Sequence, residues 1–149
     1  MFLGEFTHTL DEKNRIVIPA SFRIFITDPQ DREGFFVIVS PNPEERCLRL
    51  YTMSQWKRVS DRLREQAGKL EDPSAVLRFF ATRGQFAPVD SQSRMVVPQK
   101  LLDHAGLRRE VVLVGMMQWI EVWNVEEYRE ETQRLKSAPV DVKKALWSD

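Results

Sequence analysis

The sequence predicts an α+β, β-rich protein made of two tandem half-barrels that close on each other about a pseudo-two-fold axis, with helices packed outside. Three observations carry that expectation. A nine-residue pattern, D-x-x-x-R followed by three apolar residues and a proline, occurs as Asp11–Pro19 and again 79 positions later as Asp90–Pro98. Short β-branched or alternating runs then recur in the same order after each copy, too short to prefer helix. Finally, each copy is only about 60 residues, too few to bury a stable core alone, whereas two copies can seal each other's strand edges.

Taken in order, the first copy carries Phe6 ahead of its motif and a polar turn from Asp28 to Gly34 after it. Phe36-Val37-Ile38-Val39 and Leu48-Arg49-Leu50-Tyr51 read as strands, the second alternating apolar and charged as a half-buried strand does. Thr52-x-x-Gln55 has the pattern of a capping box and opens a helix over Met53–Lys69 that bears Trp56. Asp72 and Pro73 open another helix, with proline at its first position and Val76, Leu77 and Phe80 on one face, bridging the halves. The second copy repeats the plan. Phe86 precedes the motif, and a short helix runs from Gln99 to Ala105 with Gly106 as its stop. Val111-Val112-Leu113-Val114 and Ile120-Glu121-Val122-Trp123 answer the first copy's strands, and Asn124-x-x-Glu127 answers its cap, with Tyr128 opposite Trp56. The division expected is a first repeat at 5–52, bridging helices at 53–83, a second repeat with its following helix at 84–131, and a flexible or loosely helical tail at 137–149.

Composition excludes several function classes. No apolar run approaches the roughly 18–20 residues of a membrane span, and the opening residues lack the basic flank and apolar stretch of a signal peptide. A cytoplasmic protein associated with the nucleoid is expected, with no membrane partner. Cys47 is the single cysteine, so no internal disulfide forms, and its strand-like surroundings suit a packed thiol. His8 and His104 stand in no ligand-spaced cluster, so neither metal nor cofactor is expected. No Ser/His/Asp, Cys/His or H-E-x-x-H set and no glycine-rich phosphate loop is present, so the chain does not read as an enzyme.

Net charge is zero, from 22 basic and 22 acidic side chains, which is awkward for a binder of phosphates. The charge is unevenly placed. From Arg49 to Arg83 eight basic residues face four acidic ones, and from Glu121 to Asp149 seven acidic residues face five basic. A single copy would bind DNA weakly, whereas several copies together could present a concentrated basic face. Trp119, Ile120 and Trp123, placed near an exposed strand edge, point to self-association into a homo-oligomer. The aromatics Trp56, Trp119, Trp123 and Phe80 suit core or subunit contact better than base stacking. The basic residues Lys57, Arg58, Arg62 and Arg64 suit a solvated helix face.

In each D-x-x-x-R loop an aspartate opening the turn can accept bonds from the following backbone N–H groups and fix its shape. The arginine four positions on stands where the next strand begins, its fork free to reach outward or back to the aspartate. The spacing leaves both readings open: a structural tie within a hairpin, or an outward-facing arginine. Proline after the apolar triplet ends the strand and opens the next element.

The combination of Met1-Phe2-Leu3-Gly4, Asp11-Glu12-Lys13-Asn14-Arg15 and Pro19-Ala20-Ser21-Phe22-Arg23 with the second motif, His104-Ala105-Gly106-Leu107 and Val111–Gly115 resembles the MraZ family over about residues 1–135. The resemblance implies a SpoVT–AbrB-type swapped-hairpin barrel with both units in one chain, ring-like homo-oligomers, and binding to direct repeats in double-stranded promoter DNA upstream of the division and cell-wall gene cluster. Carried over residue by residue, it gives Asp11 and Asp90 to loop ordering, Arg15 and Arg94 to the DNA-facing surface, and Lys13 to a phosphate contact. Occupying promoter repeats would block polymerase, so a repressor is expected. Glycine usually precedes the arginine in that family, whereas Asn14 and Ser93 stand there in this chain. Asparagine tolerates a left-handed backbone well and serine less so. With Gln92 in place of a basic residue, direct DNA contact by the second loop is the weaker expectation. Two other readings stand beside this one: an oligomeric scaffold for protein partners without specific DNA binding, and, less supported, a barrel enzyme using Asp11 and Asp90.

Overall fold

Exchange of first strands between the repeats organises the fold. The computed structural model describes residues 1–137 and 142–147. In the first repeat the strands are β1 (Phe2–Thr9), β2 (Arg15–Val17), β3 (Gly34–Val39) and β4 (Cys47–Tyr51). In the second they are β5 (Gly84–Pro88), β6 (Arg94–Val96), β7 (Glu110–Met117) and β8 (Ile120–Asn124). A six-stranded antiparallel sheet runs β1-β7-β8-β4-β3-β5, and β2 pairs with β6 in a separate ladder. Thus β1 of the first repeat pairs with β7 of the second, while β5 of the second pairs with β3 of the first. Swapping the halves reverses the strand order and leaves it unchanged. No ladder joins β1 to β5 among the described residues.

The register is as symmetric as the order. In the β2–β6 ladder Arg15 pairs with Val96, Ile16 with Met95 and Val17 with Arg94, so the central pair lies on the pseudo-two-fold axis. In the β4–β8 ladder Leu48 pairs with Val122, Arg49 with Glu121 and Leu50 with Ile120, and Arg49–Glu121 is again the central, axial pair. The axis therefore enters through the outer face of β2–β6 and leaves through the outer face of β4–β8. Between these poles lies the core. Ile16 and Met95 point inward from one ladder, Leu48, Leu50, Ile120 and Val122 from the other, all buried with Phe22, Phe35, Val37 and Leu113. Phe2 and Phe6 meet the ring of Phe22 edge-on.

The helices sit where their caps place them. The helix α1 (Ala20–Arg23) follows Pro19, and α4 (Gln99–Ala105) follows Pro98, each proline ending a strand at nearly the same φ and ψ. Gly106, at φ +62°, stops α4. Thr52 accepts from the Gln55 N–H at the start of α2 (Met53–Ala67), and Asp72 accepts from the Ala75 N–H at the start of α3 (Pro73–Ala81). Asn124 caps α5 (Val125–Ser137) by accepting from the N–H groups of Glu126 and Glu127. A last helix, α6, spans Val142–Trp147 within the segment expected to be a flexible tail; positions 138–141 and 148–149 of that segment lie outside the described residues. No helix is long and apolar enough to cross a membrane among the described residues.

Three details differ from expectation. The central strands align as Phe36 with Val112, one residue away from the expected Phe36 with Val111, because Phe36 pairs with Tyr51 as Val112 pairs with Trp123. A one-residue slip exchanges the two faces of a strand, and Phe35 and Val111 are the pair that faces the core. For the same reason Phe6 and Phe86 are not equivalent: Phe6 packs on Phe22 inside, whereas Phe86 packs on Phe36 outside. Trp119, Ile120 and Trp123 do not flank an exposed edge, since β8 lies between β7 and β4, and Ile120 and Trp123 are buried. Alternation signals a half-buried strand without saying how many neighbours it has. The four-residue α1 and a 3₁₀ turn at Pro29–Arg32 are too short to read from periodicity.

Because β1 and β2 find their partners only in the other repeat, neither half should fold alone. Fragments 1–70 and 71–149, separated in the connection between α2 and α3, are expected to show no cooperative thermal transition by circular dichroism. Mixed in equal amounts they should regain one; a cooperative transition in fragment 1–70 alone would contradict the exchange.

Candidate functional site

Both D-x-x-x-R loops fold into one constellation. In the first, one Asp11 oxygen accepts from the backbone N–H groups of Lys13 and Arg15, both at 2.9 Å, while the other accepts from Arg15 Nε at 2.6 Å. The backbone closes the turn, with the Asn14 N–H donating to the Asp11 carbonyl at 3.0 Å and the Asp11 N–H to the Arg15 carbonyl at 3.1 Å. In the second, Asp90 accepts from the N–H groups of Gln92 and Arg94 and from Arg94 Nε, all at 2.9 Å. Asn14 and Ser93 occupy the left-handed region, at φ +59° and +61°. The tight turn demands that conformation, and both loops meet it without glycine.

The loops are also stitched to each other. Ile18 N–H donates to the Ser93 carbonyl at 2.8 Å, and Val97 N–H donates to the Asn14 carbonyl at 2.9 Å, so each left-handed residue anchors the opposite repeat. Arg23 donates to Ser93 Oγ at 2.9 Å, and Asn14 donates to the Gln99 side chain at 3.3 Å. Sequence reading supplied no signal for these cross-repeat contacts of Arg23 and Gln99.

Pairing fixes what the ladder presents. Ile16 and Met95 are fully buried, so Arg15, Val17, Arg94 and Val96 share the opposite, outward face. Val17 and Val96 are 43% and 51% exposed, an unusual placement for β-branched residues between two arginines. The aspartates hold each guanidinium through Nε, and no hydrogen bond from either Nη group of Arg15 or Arg94 is made among the described residues. The structural tie and the outward-facing arginine are thus one arrangement, the first aiming the second. Lys13 is exposed on the first loop, and Gln92 stands exposed in its place on the second. Beside the first loop runs an open groove lined by Asp11, Asn14, Gln99, Arg108 and Arg109. Arg108 and Arg109 are exposed, and their guanidinium groups make no hydrogen bond or ion pair among the described residues. Sequence reading missed them, although an adjacent arginine pair just ahead of β7 was there to see. In the equivalent groove of the second repeat Arg32 donates to the Ile26 carbonyl instead.

Away from this pole, Cys47 is buried, as a packed thiol should be. Its Sγ lies within 4.8 Å of carboxylate oxygens of Glu45 and Glu121, a proximity the spacing in sequence did not reveal. Burial, and then the charge of Glu121 and Glu45, push the thiol well above its ordinary pKa, so it stays protonated at neutral pH. That disfavours it as a nucleophile and weakens it as a metal ligand.

Two tandem repeats that exchange strands, with a doubled aspartate-ordered arginine loop at one pole, define a duplicated β-rich module whose two loops act as one surface. The profile of the family described as "MraZ protein, putative antitoxin-like" matches residues 1–79 and again 80–146, one match per repeat. The chain belongs to the MraZ family. It is similar to the protein named transcriptional regulator MraZ from Pediococcus pentosaceus, 37% identical over 136 residues, covering 89% of this chain and 90% of that one. The proteins of the same name from Syntrophomonas wolfei and Natranaerobius thermophilus are each 31% identical, covering 98% and 93% of this chain and 96% and 91% of their own lengths.

The site carries two expectations. Asp11 and Asp90 are held below the ordinary carboxylate pKa, first by the arginine backbone N–H, then by the arginine side chain and the N–H two residues on. A depressed carboxylate pKa stabilises the fold above the unfolded value, near 3.9, and that contribution is lost as pH falls through the folded pKa. The loops should therefore stay ordered at pH 5 and loosen only well into acid, as carboxyl carbon shifts in NMR would show; titration at or above pH 4 would contradict the hydrogen-bond pattern. Second, Ser93→Gly relieves a left-handed serine and should raise stability by up to about 1 kcal/mol, offset in part by loss of the Arg23 contact. Asn14→Gly should be close to neutral, and urea denaturation distinguishes the two.

Proposed function

We propose that the protein is a sequence-specific, DNA-binding transcriptional regulator that acts through the outer face of the β2–β6 ladder. The observation that carries this reading is the aspartate-held arginine pair on the outward face of a ladder stitched across both repeats, its Nη groups making no hydrogen bond among the described residues. Arginine offering two N–H groups in a plane can bond guanine O6 and N7, and apolar side chains beside it can touch thymine methyl groups, a role open to Val17 and Val96. Lys13 suits a phosphate contact, as do Arg108 and Arg109 beside it. The first loop is the stronger DNA contact on this reading, since the second has Gln92 for Lys13 and no unpaired arginine pair beside it. The names of the relatives support transcriptional regulation.

A chain with no net charge offers no overall excess of cations to phosphate, so affinity comes from repetition. A closed ring of subunits would present Arg15 loops to evenly spaced promoter repeats, and simultaneous engagement adds affinity without new contacts. The exposed apolar residues Ile24, Phe25, Phe79 and Met117 are surfaces such a ring could cover. Occupying promoter repeats upstream of the division and cell-wall gene cluster would block polymerase, making the protein a repressor found with the nucleoid.

The test is titration of the protein against its own upstream region at two salt concentrations. Arg15→Ala should leave the melting temperature and assembly size nearly unchanged while costing about 1–3 kcal/mol per engaged subunit. Lys13→Ala should weaken binding to all sequences alike and reduce the salt slope by about one per engaged subunit. Intact operator affinity in Arg15→Ala would move the DNA face elsewhere. No salt-dependent duplex binding by the native protein would favour the oligomeric scaffold instead.

A further inference from the structure

The opposite pole of the axis carries a different arrangement. Arg49 and Glu121 are direct cross-strand partners on the outer face, yet they form no ion pair. Glu121 is buried and accepts from Trp123 Nε1 at 2.9 Å and Trp119 Nε1 at 3.4 Å. Arg49 turns the other way: its guanidinium lies 4.5 Å over the Trp119 ring and donates to Tyr51 Oη at 3.2 Å, while its buried Nε has no partner. Arg49 is half-buried, and its enclosed Nε makes no hydrogen bond, which costs the desolvation of that N–H. The charge of Arg49 still acts on Glu121 through space, but no direct pair forms to occupy the guanidinium.

Arg49 stands where two adjoining grooves meet. One, about 520 Å³, is walled by α2 and lined by Arg58, Arg62, Gln55 and Gln118 beside Trp119. The other, about 240 Å³, is almost wholly apolar, with Ile38, Pro41, Trp56, Leu63 and Phe80. Both share Arg49, Tyr51, Val59 and Arg62, and neither has a carboxylate in its lining. Arg58 and Arg62 make no ion pair or hydrogen bond through their side chains among the described residues, whereas Arg64 on the same helix pairs with Asp61. At the corresponding place in the second repeat Trp123 and Tyr128 pack against each other, with Cys47, Val112 and Val125 around them.

We propose that this paired groove is a binding site for an amphipathic organic anion, an apolar body with one carboxylate or phosphate end. The apolar groove takes the body, and Arg49, Arg58 and Arg62 take the charge. Three guanidinium groups beside an apolar trough are complementary to that chemistry and to neither a neutral hydrocarbon nor a bare inorganic ion. The site is independent of the DNA reading, since it lies at the far pole from Arg15 and Arg94.

The test uses the intact, DNA-free protein and its tryptophan fluorescence, because Trp56 and Trp119 line the grooves. Titrations with octanoate, octyl phosphate, 1-octanol and inorganic phosphate are compared at constant ionic strength. At least one of octanoate and octyl phosphate should bind saturably and at least tenfold more tightly than both 1-octanol and inorganic phosphate; the tighter of the two identifies the headgroup. Arg62→Glu, an exposed change, should weaken that binding at least tenfold while leaving the circular dichroism spectrum and melting temperature unchanged. Arg49→Met, which also removes the unpartnered Nε, should do the same if it folds. Equal binding of 1-octanol would reduce the site to an apolar crevice, and equal binding of phosphate to a charged surface. Failure of all four to saturate, or an Arg62→Glu variant that binds normally but changes assembly size, would overturn the proposal, the latter giving the groove to a second copy of the chain.

Discussion

Every layer of the structure depends on two backbone hydrogen bonds, Ile18 N–H to the Ser93 carbonyl and Val97 N–H to the Asn14 carbonyl. They require that Asn14 and Ser93 adopt the left-handed conformation, which in turn requires the aspartate-ordered turn that precedes each arginine. Once the turns are set, β2 and β6 can pair only about Ile16 and Met95, and the axis is fixed. Strand exchange is the consequence, because a repeat whose second strand lies across the other repeat must send its first strand there too. A motif of nine residues thus specifies both the local loop and the global topology, and disruption of the loop reaches the core through Ile16 and Met95.

This coupling explains how much is legible in the sequence. The duplication, the order of strands, the caps at Thr52 and Asn124 and the helix stop at Gly106 are legible because each rests on local chemistry: a hydroxyl or amide accepting from a nearby N–H, or a glycine at positive φ. Face and edge are not. The slip between Phe36 and Val112, the opposite faces of Phe6 and Phe86, and the central place of β8 all depend on register with strands from the other repeat. No local pattern carries that information. Of the candidate site, Asp11, Asp90, Arg15 and Arg94 are legible because the motif recurs. Arg23, Gln99, Arg108 and Arg109 join it only through the fold, without any repeat to mark them.

The spacing alone leaves the aspartate–arginine pair open between a structural tie and a surface for a ligand. The geometry removes the opposition. An arginine side chain loses rotamer freedom when it binds, and a carboxylate that already holds Nε reduces what remains to be lost. The tie is partly exposed, so its direct stabilisation is small in water and salt. Its larger effect is orientation. Two such arginines, placed diagonally on one three-residue ladder, keep a fixed separation that neither loop could hold by itself.

Duplication would by itself make the two poles of the axis equally symmetric, and the substitutions since then act differently at each. At the loop pole the repeats still match in conformation, and they differ in the cations they present: Lys13 against Gln92, and an Arg108 without a hydrogen bond among the described residues against an Arg32 bound to a carbonyl. At the sheet pole they differ in kind, because the axial position holds arginine in one repeat and glutamate in the other. Cross-strand neighbours of opposite charge ordinarily pair. Here two indoles hold the glutamate, and an indole ring and a phenol hold the arginine, so the pair is pulled apart along the face of the sheet. The glutamate is satisfied within its own repeat, and burial still raises its pKa. The arginine is left with an unpartnered nitrogen beside open grooves. Symmetry thus survives where the two repeats share one stitched ladder, and is lost where an arginine and a glutamate stand across the axis from each other.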